Sequence, residues 1–409
     1  MATRYYTGAA KRVAQVDTVT PGGTIAATDT FSVTINNKTL TFTATTTTVA
    51  HVVTGLYNLW VASEEPEFLE VEPTDSTTTL TLTARTPGKP FTVTASVSNV
   101  SGGAAPTLTQ ATGTAASGPE YWNVAANWSS ATAPTTGDTA IIEGNYNILY
   151  GLDDNSTTLA KMVIRDFSGV IGLPPTNPEG GYPEYRDQYL KVSSTIIDIM
   201  QNVTSPRIRI NVGTNQTTAT VYSSGTSGDP TIKAVTLRGT HASNVVNNLG
   251  GEVGTATEAG ETATVATFRQ GSSASNPVTE IGDGASLTTV VVDSGTLINY
   301  ADFTNGTANG GTIILVDDPD IGGTLHVREA TVVVNGGPII AKLVLAGGSV
   351  LDLSQDARAL TITDCTMHAG ATVRDPFGRA TWTNAIVKSE CDFDDLTLEM
   401  GHGKSVSFA

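Results

Sequence analysis

Apolar and polar positions change rhythm along this chain, and each rhythm predicts a different element. In DTFSVTINNKTLTFTA (Asp29–Ala44), Phe31, Val33 and Ile35 alternate with polar residues, as do Leu40 and Phe42. Asn36-Asn37 separates the two runs, and Asn tolerates positive φ, so the stretch predicts a β-hairpin. In TTVAHVVTGLYNLWVAS the apolar residues Val49, Val52, Val53, Leu56, Tyr57 and Trp60 follow the i, i+3, i+4 spacing of a helix face. Thr47 or Thr48 can cap that helix. TTTLTLTART and KPFTVTASV, joined at Pro87-Gly88, predict two further strands. The order β-β-α-β-β predicts a small α+β domain with its helix laid across an antiparallel sheet. Residues 101–118, where Leu108 is the only large apolar side chain, predict a linker or a loosely held edge strand.

From about Thr139 short apolar runs recur between Gly, Asn and Asp, and helical windows are nearly absent. VVVDSGTLIN (Val290–Asn299), VVVNGGPIIA (Val332–Ala341) and LVLAGGSVLD (Leu343–Asp352) lay over one another: three apolar residues, a turn, then apolar again. Quasi-repeats of this kind, without connecting helices, predict a right-handed parallel β-helix with coils of roughly 20–25 residues. A β-sandwich is the rival, but it requires matched strands around hairpin dipeptides, which are few here. The chain therefore divides into a small α+β domain with its arm and linker (1–118), a cap segment (119–138) and a parallel β-helix (139–409). A solenoid exposes apolar core and unpaired backbone at its first rung, which must be covered. GPEYWNVAANWSSATAPTTGDTAII holds Trp122 and Trp128 just before the first ladder residues, Ile141 and Ile142. The two indoles are expected to lie over that rung; exposed, they would instead stack on sugar rings.

Composition sharpens this picture. Only 15% of residues are charged and the net charge is −17. Residues 1–118 carry 6 basic and 8 acidic side chains, leaving 16 and 31 for the remainder, so the acidity lies in the body. An acidic body keeps copies soluble and argues against a nucleic-acid groove. The arm MATRYYTGAAKR runs the other way: Arg4, Lys11 and Arg12 could dock on an acidic partner, or the arm could fray. No apolar signal region follows the initial Met and no run spans a bilayer, so cytoplasmic assembly is expected, or exit by a route that the sequence does not mark. Two cysteines, Cys365 and Cys391, are too sparse for a disulfide framework and are expected as free thiols.

Candidate chemistry is thin. His51, His241, His326, His368 and His402 form no metal-binding spacing, and no nucleophile elbow or phosphate loop occurs. Three acidic clusters stand out: Asp153-Asp154, Asp317-Asp318 with Asp320, and Asp392 with Asp394-Asp395. Neighbours on a strand point to opposite faces, so these read as turn acids, with a bound calcium ion as the functional alternative and catalysis below it. No catalytic residue, cofactor or metal ligand is assigned. LPPTNPEGGYPEYRDQYL (Leu173–Leu190) is the conspicuous insertion. Its Tyr182, Tyr185, Arg186 and Tyr189 are residue types favoured at protein contacts, so a subunit contact is expected, or a loop folded down over the solenoid.

The hairpin-helix-hairpin of residues 29–94 resembles a small domain recurrent in tailed-bacteriophage virion proteins. WNVAANWS (Trp122–Ser129) followed by PTTGD resembles a phrase that opens β-solenoids in phage and bacterial surface proteins. Together they resemble phage structural proteins of the head-decoration or fibre type. That resemblance implies a non-enzymatic virion protein assembled in the host cytoplasm. It further implies association with capsid or other virion proteins and a homo-oligomer, a trimer favoured. The alternative is a tailspike-like receptor binder or polysaccharide depolymerase; a bacterial surface adhesin is a third reading.

Overall fold

The computed structural model describes residues 2–100, 102–200, 207–227, 232–271, 276–388 and 397–400. It is mainly β, 52% strand and 6% helix, with a parallel β-solenoid of about 11 turns and a small N-terminal sheet domain.

Within the solenoid each coil gives strands to two parallel sheets, and each strand pairs with the one two further along the chain. In one sheet an inward row runs Ala140, Met162, Ile197, Ala219, Val246, Phe268, Val290, Gly306, Leu325, Leu343, Cys365. One residue per coil makes the differences coil lengths: 22 residues from Ala140 to Met162, 35 from Met162 to Ile197, and 16 to 22 from Val246 onward. The long coil is the one that carries the tyrosine-rich insertion. Gly306 interrupts the row because the Phe303 ring fills its space; a Cβ there would lie 2.8 Å from that ring and 2.7 Å from Leu325.

The second sheet stacks Ile148, Ile171, Ile208, Val235, Val253, Thr279, Leu297, Ile313, Val332, Leu351 and Val373, all fully buried. Each such aliphatic contributes about 1.5–3 kcal/mol by leaving water. Thr279 is the polar exception, and its hydroxyl accepts from Asn248 Nδ2 at 2.9 Å. The three quasi-repeats do not all superpose. VVVDSGTLIN and LVLAGGSVLD each leave the first sheet, turn and enter the second. VVVNGGPIIA runs from the second sheet back to the first, half a coil out of phase. Both corners use Gly between aliphatic runs, which is why they look alike in sequence.

The small domain departs from the expected β-β-α-β-β order. Its hairpin Thr30–Ile35 and Lys38–Thr43 turns at Asn36, φ 54°, and pairs with Val93–Ser98 in a three-stranded sheet. A second sheet orders Val71–Asp75, Leu80–Ala84, Val16–Gly23 and Pro106–Thr114. The stretch 101–118 thus supplies an edge strand. Helix Val49–Ala62 is capped by Thr48, whose hydroxyl accepts from His51 N, and it buries Val52, Val53, Leu56 and Trp60. Gly55 lets it approach the hairpin: a Cβ would lie 2.2 Å from the Phe42 ring.

The domain is an insertion rather than a preceding unit. Strand Thr3–Tyr5 pairs in parallel with Thr139–Ile141 as an extra rung of the solenoid. The chain then leaves, and Val13 and Ser117 bridge across the two necks of the excursion, Val13 N donating to Ser117 O at 2.7 Å. The boundary expected at residue 118 therefore moves: residues 3–6 belong to the solenoid, and the arm is a paired strand instead of a free tail.

Candidate functional site

Two aromatic clusters concentrate the candidate residues. The first closes the solenoid. Trp122 and Trp128 are 0% and 2% exposed and meet edge to face at 4.8 Å, in one apolar cluster with Ala140 and Ile142. Each indole N–H has a partner: Trp128 Nε1 donates to Trp122 O at 2.7 Å, and Trp122 Nε1 to Asp154 Oδ2 at 2.9 Å. Tyr6, from the extra rung, packs on Trp128 at 5.1 Å and donates its hydroxyl to Pro119 O at 2.6 Å. Asn127, fully buried, donates to Gly118 O and Tyr121 O and accepts from Ala10 N, tying the arm to the cap. No face of either indole is open to a sugar.

The arm's cations are largely engaged within the chain. Arg4 donates to Ser130 Oγ at 2.5 Å and lies 3.5 Å from Asp138. Arg12 pairs with Glu120, and Lys11 stands exposed. Asp138 holds this corner together. The amide of Ala2 donates to its carboxylate at 2.6 Å, with help from Thr135 and Arg4, and the carboxyl is held down at about 2.

The second cluster is the insertion, which folds against the small domain. The Glu70 carboxylate, on that domain, receives Lys89 at 2.7 Å, the Tyr182 hydroxyl at 2.5 Å and Arg186. Arg186 also grips Glu184 with Nη1 at 3.0 and 3.1 Å and donates Nε to Pro90 O at 2.8 Å. Its guanidinium lies 4.5 Å over the Tyr185 ring, which in turn stacks on Tyr182 at 5.9 Å. Burial works against the Arg186 charge, and the surrounding Tyr185, Glu70 and Glu184 outweigh it, so the group stays firmly protonated. Burial likewise lifts the Tyr182, Tyr185 and Tyr189 hydroxyls well above the ordinary phenol range.

Tyr189 faces the other way, into the solenoid side. Arg209 and Arg238 lie 4.2 and 4.9 Å from its ring, and its hydroxyl donates to Glu261 Oε1 at 2.5 Å. Fully buried Arg209 pairs with Glu258 through both terminal nitrogens, at 2.5 and 2.8 Å. Glu70, Lys89, Arg209, Arg238, Glu258 and Glu261 carry no sequence signal for this role. They lie 19 to 116 residues from their partners and meet only after folding. Open clefts of about 290 and 640 Å³ flank the insertion, the larger lined by Tyr189, Arg238, Glu258 and Glu261.

The acidic turns clamp one coil to the next. Asp318 Oδ1 accepts from Gly337 N at 2.7 Å, Asp320 Oδ1 from Ile339 N at 2.8 Å, and Asp302 Oδ1 from Asp320 N at 2.7 Å. These bonds span 18 or 19 residues, one coil each. Asp154 serves Trp122, and Asp153 pairs with Lys191. Among the described residues no group of three or more His, Cys, Asp or Glu side chains could hold a metal ion. Among the described residues no helix is long and apolar enough to cross a membrane. Cys365 is a free thiol in the inward row, pushed up to about 12 by burial. Cys391, His402, Asp392, Asp394 and Asp395 lie outside the described residues.

No protein-family model, no curated protein and no solved structure matches this chain.

Proposed function

We propose that this chain is a non-enzymatic structural protein of a bacteriophage virion, decorating or stabilising the capsid or building a fibre. On this reading the solenoid is a rigid rod and the inserted domain is the part that attaches to the particle. It acts in the virion as a homo-oligomer, with threefold symmetry implied by the resemblance of its two sequence phrases. The observation that carries the reading is the domain's mounting. A 117-to-13 bridge and the Glu70 node hold it fixed at the capped end of the rod, as a presented module must be held. The occupied aromatic faces and the coil-clamping acids add support, because they leave structural roles for the residues that a glycan site would need.

The structure also decides which deletion tests it. Removing residues 1–118 would take the extra rung and Tyr6 with it. Excising 14–116 and joining Val13 to Ser117 through a short Gly linker keeps the cap. The expected outcome is a folded solenoid that no longer binds phage particles; binding that survives the excision would sink the proposal. The second reading, a glycan binder or polysaccharide depolymerase, would use the larger cleft beside Tyr189. New reducing ends from host surface polysaccharide incubated with the pure protein would favour it.

A further inference from the structure

The small domain gathers its acids in one place. Six of the eight carboxylates of residues 1–118 lie within 64–75: Glu64, Glu65, Glu67, Glu70, Glu72 and Asp75. Lys89 and Arg186 engage Glu70, and Lys38 engages Glu65 at 2.7 Å. Among the described residues the other four pair with no cation. Glu67 is the unusual member. It is 1% exposed, its Oε1 accepts from Asn36 Nδ2 at a long 3.4 Å, and its Oε2 is buried without a partner. A carboxylate oxygen removed from water and left without a donor is strongly unfavourable, and a donor brought to it relieves that cost.

Glu67 lines a further cleft of about 290 Å³, between the tip of the insertion and the turn of the hairpin. Pro66, Tyr182 and Pro183 supply its apolar lining, and the Lys38–Glu65 pair borders it as well. This composition describes a ligand. A stem of methylenes suits proline and tyrosine walls, and a positive head suits an unpartnered carboxylate oxygen. A guanidinium would use both oxygens for its fork, and one of them already faces Asn36. A single free oxygen suits the compact charge of an ammonium instead. The Lys38 ammonium on Glu65 shows that the cleft already accommodates that group.

We propose that this cleft receives a lysine side chain from a basic segment of a partner protein. The inference rests on the reading of the small domain as the part that attaches, and it names what that domain grips. The test is fluorescence anisotropy of dye-labelled tetralysine on the full chain at about 0.1 M salt, where charges more than about 10 Å apart are screened. Tetralysine should bind, tetra-arginine more weakly, and Nε-acetylated tetralysine not at all. Glu67→Gln, nearly isosteric, should weaken tetralysine at least about tenfold, as loss of a buried charge partner does. Pro183→Trp, at an exposed edge of the cleft, fills it without touching a carboxylate and should weaken binding too. Lys38→Met frees Glu65 and should tighten binding about twofold to fivefold. Asp283→Asn, on an exposed turn of the solenoid, removes the same charge as Glu67→Gln and should change nothing. Thermal unfolding of the variants should match the wild type. Absence of binding up to about 1 mM, tetra-arginine held as tightly, indifference to Glu67→Gln or Pro183→Trp, or an equal loss with Asp283→Asn would each overturn the lysine site. Particles distinguish its failure from that of the attachment reading. Particles that hold Glu67→Gln as well as wild type, but not the excised chain, remove the lysine site alone. If tetralysine needs Glu67 yet the excised chain still decorates particles, the attachment reading falls alone.

Discussion

The two aromatic clusters of this molecule use the same kind of side chain in opposite ways. At the mouth of the solenoid Trp122, Trp128 and Tyr6 meet edge to face over aliphatic core, and their polar atoms end on backbone carbonyls and one carboxylate. At the insertion Tyr182, Tyr185 and Tyr189 are packed among arginines and glutamates. The first cluster replaces the neighbouring coil that a terminal rung lacks, and its strength is burial. The second joins two bodies, and its strength is ion pairing at low solvent exposure. A β-solenoid is stabilised mainly between adjacent coils, so losing the mouth should unravel coils in sequence. Losing the junction should release the small domain and leave the coils intact.

That contrast is open to direct attack. Trp128→Ala carries the largest expected effect, about 4 kcal/mol in chemical denaturation, from a large cavity over the first rung. Hydrogen exchange should quicken first in strands Thr3–Tyr5 and Thr139–Gly144; a loss under about 1 kcal/mol would show that the indoles do not close the tube. Arg186→Ala follows at about 3 kcal/mol, because it strands Glu184 and weakens Glu70 in a place with little water. Here exchange should quicken in the small domain while the coils from Val246 onward keep their protection, and uniform loosening would erase the distinction. The smallest effect concerns pH. The Asp138 carboxyl is depressed to about 2 by its hydrogen bonds, so its contribution is full above the unfolded value of about 4 and fades as pH falls towards 2. Asp138→Asn should flatten that part of the stability profile; an unchanged slope between about pH 4 and pH 2 would place the acid sensitivity elsewhere.

Much of the architecture was legible where periodicity and packing coincide. The hairpin at Asn36-Asn37 and the helix from Val49 sit where alternation and i, i+4 spacing put them, and the stacked Val, Ile and Leu runs form the parallel coils. Strand Val16–Gly23 escaped notice because its buried Asp17, and Gln15 just before the strand, are polar: Gln15 is satisfied by Phe91 and Asp17 by Gln110. A hydrophobicity pattern cannot register a buried amide. The half-coil offset of VVVNGGPIIA was hidden because both corners of the coil are built from the same Gly-rich phrase. The insertion of the small domain was hidden for a different reason. A three-residue strand paired with residues 136 positions away leaves no local trace.

That three-residue strand also sets an order of events during synthesis. When Thr3–Tyr5 leave the ribosome, their pairing partners, more than a hundred residues further along the chain, are still untranslated. The small domain, complete once residue 114 has emerged, can therefore settle while the first strand is still waiting. The stitch that shuts the tube is made late, by a strand that has waited through the synthesis of the whole small domain.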